Sequence, residues 1–188
     1  AAEIDIGIIA AAFLFDNNKK SLEEFVQDSV QDLIGKKGSV LEKAQDVVLY
    51  GFGRIGRLLT RLIVEDSGGG DNLRLRAIVV RRSSKEDLIK RANLLRTDSV
   101  HGPFKGTVRV NQKNEMLIIN GSEVQVIYSD DPSKIDYTSH GIKEALLIDN
   151  TGVWREKSDL EKHLKCKGIK KVLLTATAKG GEKNIVHG

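Results

Sequence analysis

The sequence predicts an α/β fold in which a doubly wound, mainly parallel sheet carries helices on its faces. From residue 46 onward, short β-branched apolar runs alternate with amphipathic runs of helical period. A glycine-rich turn joins the first apolar run to the first of these helices. We therefore expect residues 46–188 to form the α/β domain, and residues 1–45 to form a short helical extension and linker.

The extension contains two amphipathic series. Apolar residues recur at helical spacing over residues 4–13 and again over residues 22–34. Ser21, with Glu24 three residues later, has the spacing of a capping box, in which each residue satisfies a free amide of the other. The glycines at 35–38 then end the second helix and open the linker.

The α/β part alternates strands with helices and includes an antiparallel insert. Apolar runs and polar–apolar alternation predict strands over residues 47–50, 75–80, 106–110, 116–120, 123–128, 145–149 and 171–176. Helical periodicity predicts helices over residues 55–65, 85–96 and 158–165. The insert consists of the three middle strands, joined by turns at 112–114 and 120–121, and a glycine turn lies at 67–70.

Composition limits the class of protein. The 188 residues are 40% hydrophobic and 30% charged, which excludes a wholly disordered or fibrous chain. No apolar run approaches the roughly 18 residues that a membrane span needs, so we expect no membrane partner. The net charge of +4 is spread along the chain and indicates no nucleic-acid surface. Cys166 is the single cysteine, which fits a reducing compartment, and we expect a cytoplasmic protein.

The turn after the first strand has the pattern G-x-G-x-x-G at Gly51, Gly53 and Gly56. Gly51 permits the tight turn, Gly53 lets the backbone approach a pyrophosphate, and Gly56 lets the helix pack closely on the strand. The anion would meet the free amides at the start of the helix, in particular those of Arg54 and Ile55. A turn selected only for packing is the alternative, but the strand–helix–strand context favours a dinucleotide site in a Rossmann-type fold.

The end of the second strand bears on which dinucleotide binds. An acidic residue there bonds the adenosine ribose 2′-hydroxyl of NAD, whereas an arginine accommodates the 2′-phosphate of NADP. This strand is followed by two arginines and two serines, among them Arg82 and Ser83. A guanidinium can bind phosphate through two hydrogen bonds, so these residues favour NADP, or both cofactors, over strict use of NAD. The alternative is two solvated arginines at a strand end.

Four segments together resemble the nucleotide-binding half of glyceraldehyde-3-phosphate dehydrogenase. They are residues 50–57 (YGFGRIGR), 96–102 (RTDSVHG), 149–154 (DNTGVW) and 171–180 (KVLLTATAKG). The resemblance extends over about residues 46–186, in order and with fitting spacing. The preceding segment resembles the tail of an N-terminal extension found in a longer bacterial branch of that family.

The resemblance implies which residues contact the cofactor. The implied pyrophosphate loop consists of Gly51, Phe52, Gly53, Arg54 and Ile55. Thr151 and Gly152 resemble the pair beside the riboses, and Trp154 takes the place of an aromatic residue next to the cofactor. Thr175 and Ala176 take the place of a Ser-Ala step that faces the nicotinamide. All these positions are expected at the carboxyl ends of strands, where open α/β sheets bind ligands.

The sequence also departs from the family pattern. Arg82-Ser83 stands where the family usually has Asn-Asp, Asp130 stands where an arginine is frequent, and Thr177 replaces a proline. Because Arg82-Ser83 and Asp130 lie near the expected adenosine end, these departures put the usual adenosine contacts in question.

The resemblance implies an oxidoreductase that oxidises a phosphorylated three-carbon aldehyde in hexose breakdown or sugar synthesis, as a homotetramer. In that scheme a cysteine thiolate, assisted by a histidine base, attacks the aldehyde, hydride passes to NAD or NADP, and phosphate releases an acyl phosphate. The family's nucleophile lies in a Ser-x-Cys-Thr-Thr-Asn motif that this sequence lacks. Both ends of the sequence look cut, so we expect a catalytic half downstream and no catalytic residue or activity in this chain alone.

The residues also bear on other functions. The main alternative is a non-catalytic dinucleotide-binding or subunit-association module. The basic segment 157–171 lacks interleaved aromatic residues, so we expect no nucleic-acid partner. His163 and Cys166 supply only two potential ligands, so we expect no metal, and Cys166 at a helix end is not expected to be a nucleophile. The other histidines, expected in turns or on the surface, are His101, His140 and His187.

Overall fold

A computed structural model describes residues 6–15, 20–31, 44–66 and 72–180. The helices are α1 Ile6–Phe15, α2 Leu22–Val30, α3 Arg54–Asp66, α4 Asp87–Arg96 and α5 Lys157–Leu164. The strands are β1 Gln45–Tyr50, β2 Leu73–Val80, β3 Thr97–Asp98, β4 Gly102–Pro103, β5 Val108–Asn111, β6 Met116–Ile119, β7 Ser122–Tyr128, β8 Ala145–Asp149 and β9 Ile169–Leu174. Short 3₁₀ turns occupy Pro132–Lys134 and Tyr137–His140.

Seven strands form one sheet in the order β5-β6-β7-β2-β1-β8-β9. The five strands from β7 to β9 pair in parallel, which confirms the prediction of a mainly parallel sheet. The antiparallel insert is less separate than predicted, because β7 pairs in parallel with β2 on one side and antiparallel with β6 on the other. Since β5 is antiparallel to β6, β6 alone runs against the other strands of this sheet.

The sheet has a hydrophobic core on each face, as a doubly wound fold requires. In β1, Val47 and Leu49 belong to a core shared with α3 and α4, whereas Val48 and Tyr50 belong to the core on the opposite face. The second core is completed by the 3₁₀ segments and by the chain directly after α5. Alternate residues of one strand are thus buried on opposite faces, which explains why these strands read as continuous apolar runs.

The extension contains the predicted pair of helices. Phe13 of α1 and Phe25 of α2 pack edge to face, with ring centroids 5.3 Å apart. The predicted capping box is present, because the Ser21 hydroxyl accepts the Glu24 amide at 3.2 Å and the Glu24 carboxylate accepts the Ser21 amide at 3.0 Å. The predicted continuation of α2 to residue 34, the glycine stop at 35–38 and the turn at 67–70 lie outside the described residues.

Two further features differ from the sequence prediction. A two-stranded ladder of β3 and β4 follows α4, and such short strands leave no periodic signal in a sequence. The last strand, β9, begins at Ile169 and ends at Leu174, about two residues earlier than predicted, because its register is fixed by pairing with β8. Thr175 and Ala176 therefore lie in the loop after the strand. None of the helices in the described part of the chain has the length and apolar character needed to span a bilayer.

Candidate functional site

The candidate site is the crevice where the strand order reverses, between β1 and β8. After β1 the chain leads into α3 on one face of the sheet, and after β8 it leads into α5, which packs at β9. The two strand ends are tied together, because the Asn150 amide donates to the Tyr50 carbonyl at 2.8 Å. This is the position at which open α/β sheets bind ligands. The structure therefore brings the predicted segments 51–56 and 151–152 to one place.

The three glycines of the turn have different roles. Gly51 has φ +96°, and a Cβ added there would lie 2.8 Å from Cγ2 of Thr151. At Gly56 an added Cβ would lie 2.3 Å from the Gly51 carbonyl oxygen. At Gly53, by contrast, an added Cβ would meet nothing within 4 Å. Packing within the protein thus explains Gly51 and Gly56, but it does not explain Gly53, whose missing side chain leaves open space in front of α3.

The start of α3 faces that open space with exposed residues. Arg54 and Ile55 lie in its first turn, and Ile55 is 49% exposed. The first amides of a helix have no acceptor within the helix, and they carry the positive end of its dipole. Phe52, between the first two glycines, is buried in the first core and anchors the turn. The arrangement suits an anionic group such as a pyrophosphate.

A buried acid holds the loop on the other side of the crevice. Asp149 is fully buried, and its Oδ1 accepts both the Thr151 amide and the Thr151 hydroxyl at 2.7 Å. Its Oδ2 lies 3.1 Å from Nε2 of His163, which is also fully buried on α5. The His163 ring packs edge to face on Tyr50, with centroids 4.7 Å apart. Burial, and then the Asp149 carboxylate, raise the pKa of Tyr50 to about 12.

Sequence reasoning missed the Asp149–His163 pair, because the sequence places His163 near Cys166 and does not identify it as the partner of Asp149. One signal for it is present in the sequence. Asp149 ends an apolar strand two positions before the pair Thr151-Gly152, and a carboxylate in that position needs buried hydrogen-bond partners. The partner on α5 can be identified only once α5 is placed against the sheet. In the part of the chain that the structure describes, no group of three or more His, Cys, Asp or Glu side chains could hold a metal ion.

The predicted nicotinamide end lies beside this loop. The amide and the hydroxyl of Thr175 both donate to the Asp149 carbonyl at 3.1 Å. A Cβ added at Gly152 would lie 4.0 Å from Cβ of Ala176. The structure thus places the predicted residues after β8 and after β9 side by side. Trp154 is half-buried against the second core, with its ring centroid 5.0 Å from Nζ of Lys162, and its place beside a cofactor stays a prediction.

The two predicted ligands for a 2′-phosphate already have acidic partners. Arg82 forms an ion pair with Glu115 and stacks over the Tyr128 ring, with its guanidinium carbon 3.6 Å from the centroid. The Ser83 hydroxyl donates to Asp87 at 2.5 Å. Burial acts to raise the pKa of Asp87, but hydrogen bonds from Arg91 and Ser83 hold it below its usual value. The predicted adenosine end of the crevice is therefore not simply basic, and the roles of Arg82 and Ser83 stay predictions.

The segment after α4, residues 98–101, forms a clip onto α3. Asp98 accepts the guanidinium of Arg57 at 2.9 Å and the amides of Val100 and His101 at 3.0 and 3.1 Å. The Val100 amide, then the Arg57 guanidinium and the His101 amide, hold the pKa of Asp98 well below its usual range. The clip fixes the first turns of α3 and hence the position of the glycine turn before it.

Cys166 has the properties of a structural cysteine. Its side chain is buried, and its Sγ lies 3.1 Å from the Pro132 carbonyl and 3.2 Å from the Lys162 carbonyl. Burial raises the pKa of the Cys166 thiol. A reactive cysteine needs the opposite, a lowered pKa and access to the substrate.

Comparisons with known proteins show which family the α/β domain matches. Residues 45–157 match the family described as glyceraldehyde 3-phosphate dehydrogenase, NAD binding domain. A glyceraldehyde-3-phosphate dehydrogenase-like protein of Pseudomonas aeruginosa is 56% identical over 188 residues, which is 100% of this chain and 41% of the relative. The glyceraldehyde-3-phosphate dehydrogenase of Thermotoga maritima is 38% identical over 142 residues, 76% of this chain and 39% of the relative. Glyceraldehyde-3-phosphate dehydrogenase 1 of Bacillus subtilis is 32% identical over 145 residues, 77% of this chain and 39% of the relative.

This chain therefore spans about two fifths of the length of the curated relatives that it matches. The Pseudomonas relative aligns with the helical extension as well as with the α/β domain. These matches do not favour the alternative of a non-catalytic module.

Proposed function

The chain belongs to the glyceraldehyde-3-phosphate dehydrogenase family, whose NAD-binding domain it contains, and from this premise we propose what the whole protein does. It oxidises the aldehyde of a phosphorylated three-carbon substrate to an acyl phosphate, with hydride transfer to NAD or NADP and uptake of inorganic phosphate. The names of the relatives support the substrate class. The part described above is the portion that binds the cofactor.

The observation that carries this proposal is the open space at Gly53. Two glycines of the turn are required by contacts within the protein, whereas Gly53 is not. Its missing side chain clears the approach to the first amides of α3, at the carboxyl edge of the sheet. A dinucleotide pyrophosphate fits this space, because it is anionic and needs backbone amides at close range.

Different residues of the crevice contact different parts of the dinucleotide. The amides at the start of α3 bind the pyrophosphate, while Thr151 and Gly152 lie beside a ribose and Thr175 and Ala176 border the nicotinamide end. When bound, the nicotinamide ring supplies the chemistry by accepting a hydride. Asp149 and His163 keep the Thr151 loop in position from beneath the crevice.

We propose that NADP binds at least as well as NAD. The support is chemical: Arg82 and Ser83 follow β2 at the adenosine end, and a guanidinium attracts the 2′-phosphate that an acidic residue would repel. Half of the Arg82 side chain remains exposed, at 47%, so a phosphate can reach it.

We also propose that the protein is a cytoplasmic homotetramer without nucleic-acid or membrane partners. The resemblance supports the tetramer, the single cysteine fits a reducing compartment, and the balanced charge argues against nucleic acid. Because Cys166 is buried, turnover needs a nucleophile that these 188 residues do not supply, and the chain alone binds cofactor without oxidising the aldehyde.

The test is a pair of cofactor titrations on Gly53→Ala and on a matched control. We expect Gly53→Ala to unfold at the same urea concentration as the wild type but to bind NAD and NADP at least about tenfold more weakly, because the methyl group enters the pyrophosphate space. Ser158→Thr adds one methyl group to the exposed first turn of α5 and should change neither property. Unchanged dinucleotide affinity in the folded Gly53→Ala variant would refute the site.

A further inference from the structure

We propose that Glu115 is a specificity-determining residue, which restrains the binding of NADP relative to NAD by competing with the 2′-phosphate for Arg82. This inference rests on the proposed function, since it concerns the adenosine end of the same crevice. It adds a residue from the hairpin of β5 and β6 that no motif of the dinucleotide site includes.

The sheet order brings Glu115 to Arg82. β7 lies between β2 and β6, with Val80 of β2 opposite Tyr128 of β7. Arg82 extends past the end of β2, stacks on the Tyr128 ring and meets the carboxylate of Glu115, which directly precedes β6. The ion pair therefore bridges across the end of β7 and lies at the carboxyl edge of the parallel sheet, where the crevice opens.

The backbone fixes the position of Glu115. Its φ of +52° lies in the left-handed region, which is uncommon for residues other than glycine. Its carbonyl accepts the Val126 amide at 2.8 Å and Nε2 of Gln125 at 3.2 Å. These bonds hold the hairpin end against β7, so the carboxylate starts from a defined place beside Arg82.

Of the two acids beside Arg82 and Ser83, Glu115 is the one that would compete with a 2′-phosphate. Asp87, which accepts the Ser83 hydroxyl, has its own cation in Arg91 at 2.5 Å, so its charge is balanced within α4. The described structure gives Glu115 an ion pair with Arg82. A 2′-hydroxyl leaves that pair intact, whereas a 2′-phosphate must share the guanidinium with Glu115 or displace it. Competition of this kind acts on NADP and leaves NAD unaffected.

The Arg82–Glu115 ion pair is weak enough for a 2′-phosphate to replace it, but its loss should still be measurable. Arg82 and Glu115 side chains are 47% and 44% exposed, so water screens their attraction. We therefore expect Glu115→Gln to raise NADP affinity about two- to fivefold and to leave NAD affinity nearly unchanged.

The experiment measures dissociation constants for NADP and NAD, and for adenosine 2′,5′-bisphosphate against adenosine 5′-monophosphate, at one fixed low salt concentration. The variants are wild type, Glu115→Gln, Arg82→Gln and the double variant. Glu123→Gln, which is exposed and lies at the start of β7, is the matched control, since it removes the same charge at the end of β7 opposite to Tyr128. In the single variant Glu115→Gln we expect tighter binding of the two 2′-phosphorylated ligands. When Arg82 is already replaced by Gln, we expect the Glu115 substitution to bring no such increase in affinity.

The outcomes separate this proposal from the proposed function. Binding of both dinucleotides with the same ratio in wild type and Glu115→Gln would overturn the role of Glu115 and leave the site intact. An equal gain in the Arg82→Gln background would show that Glu115 acts by general repulsion, and this too would overturn the competition for Arg82. Failure of wild type to bind either dinucleotide would overturn the proposed function together with this inference.

Discussion

Replacing Asp149 by asparagine tests the buried support of the crevice. The asparagine has the size of the aspartate, and its carbonyl oxygen can still accept the two donors of Thr151. Its NH₂ group, however, takes the place of Oδ2 and faces Nε2 of His163. A carboxylate oxygen can only accept, so Nε2 carries the proton of this contact, and in the neutral tautomer with that proton Nδ1 carries none.

The loss of stability in Asp149→Asn depends on which nitrogen of the His163 imidazole carries the proton. To accept from the new NH₂ group, Nε2 gives up its proton, and the neutral ring then carries it on Nδ1. Nδ1 of His163 is buried without a hydrogen-bond partner among the described residues. A buried donor left unsatisfied costs about 1–3 kcal/mol, so we expect Asp149→Asn to lower the free energy of unfolding by that amount. Asp149→Ala leaves Thr151 and His163 donors unpaired and should cost about 3–5 kcal/mol.

The assay is urea unfolding of the chain with and without dinucleotide, at neutral pH. Asp136→Asn is the matched control, because Oδ1 of Asp136 accepts the amide and the hydroxyl of Thr138 in the same local pattern. Its side chain is 46% exposed and pairs with Lys167 rather than with a buried histidine. We expect the control to cost less than about 1 kcal/mol. If Asp149→Asn is as mild as Asp136→Asn, water reaches His163 and the reasoning about a sealed pair is wrong.

Two further predictions concern the frame of the crevice. Gly56→Ala should destabilise the domain by about 3 kcal/mol or more, because the added Cβ would lie 2.3 Å from the Gly51 carbonyl oxygen and the backbone would have to move. We expect a melting temperature that is lower by about 6–12 °C. A melting temperature within about 2 °C of that of the wild type would contradict this contact. Asp98 has a pKa lowered by folding, so its contribution to stability is present above the unfolded value of about 4 and is lost as the pH falls below it. The stability difference between wild type and Asp98→Asn should therefore be full at pH 7 and shrink below about pH 4, and a difference independent of pH would show that the Asp98 carboxylate is not held by its clip.

Local signals in the sequence were sufficient for most of the secondary structure. The Ser21–Glu24 capping box, the apolar runs of β1 and β8 and the position of the glycine turn are all decided by residues a few positions apart. Burial on both faces of a parallel sheet gives continuous apolar strands, so the fold class also followed from the pattern alone. The anion-binding chemistry of the glycine turn could also be predicted from the sequence, because the strand, the turn and the helix are contiguous.

Only the tertiary structure decided which distant residues pair with each other. His163 meets Asp149 across 14 positions and Arg82 meets Glu115 across 33, and neither pairing leaves a periodic trace in the sequence. Hydrophobic periodicity reports whether a position is buried but not which neighbour it meets there. The parallel pairing of β7 with β2 was hidden in the same way, since strand direction depends on the path of the chain between them. The sequence by itself thus determined that a dinucleotide crevice forms, whereas the packing of α5 and of the β5–β6 hairpin decided which acids support it and which acid competes at its edge.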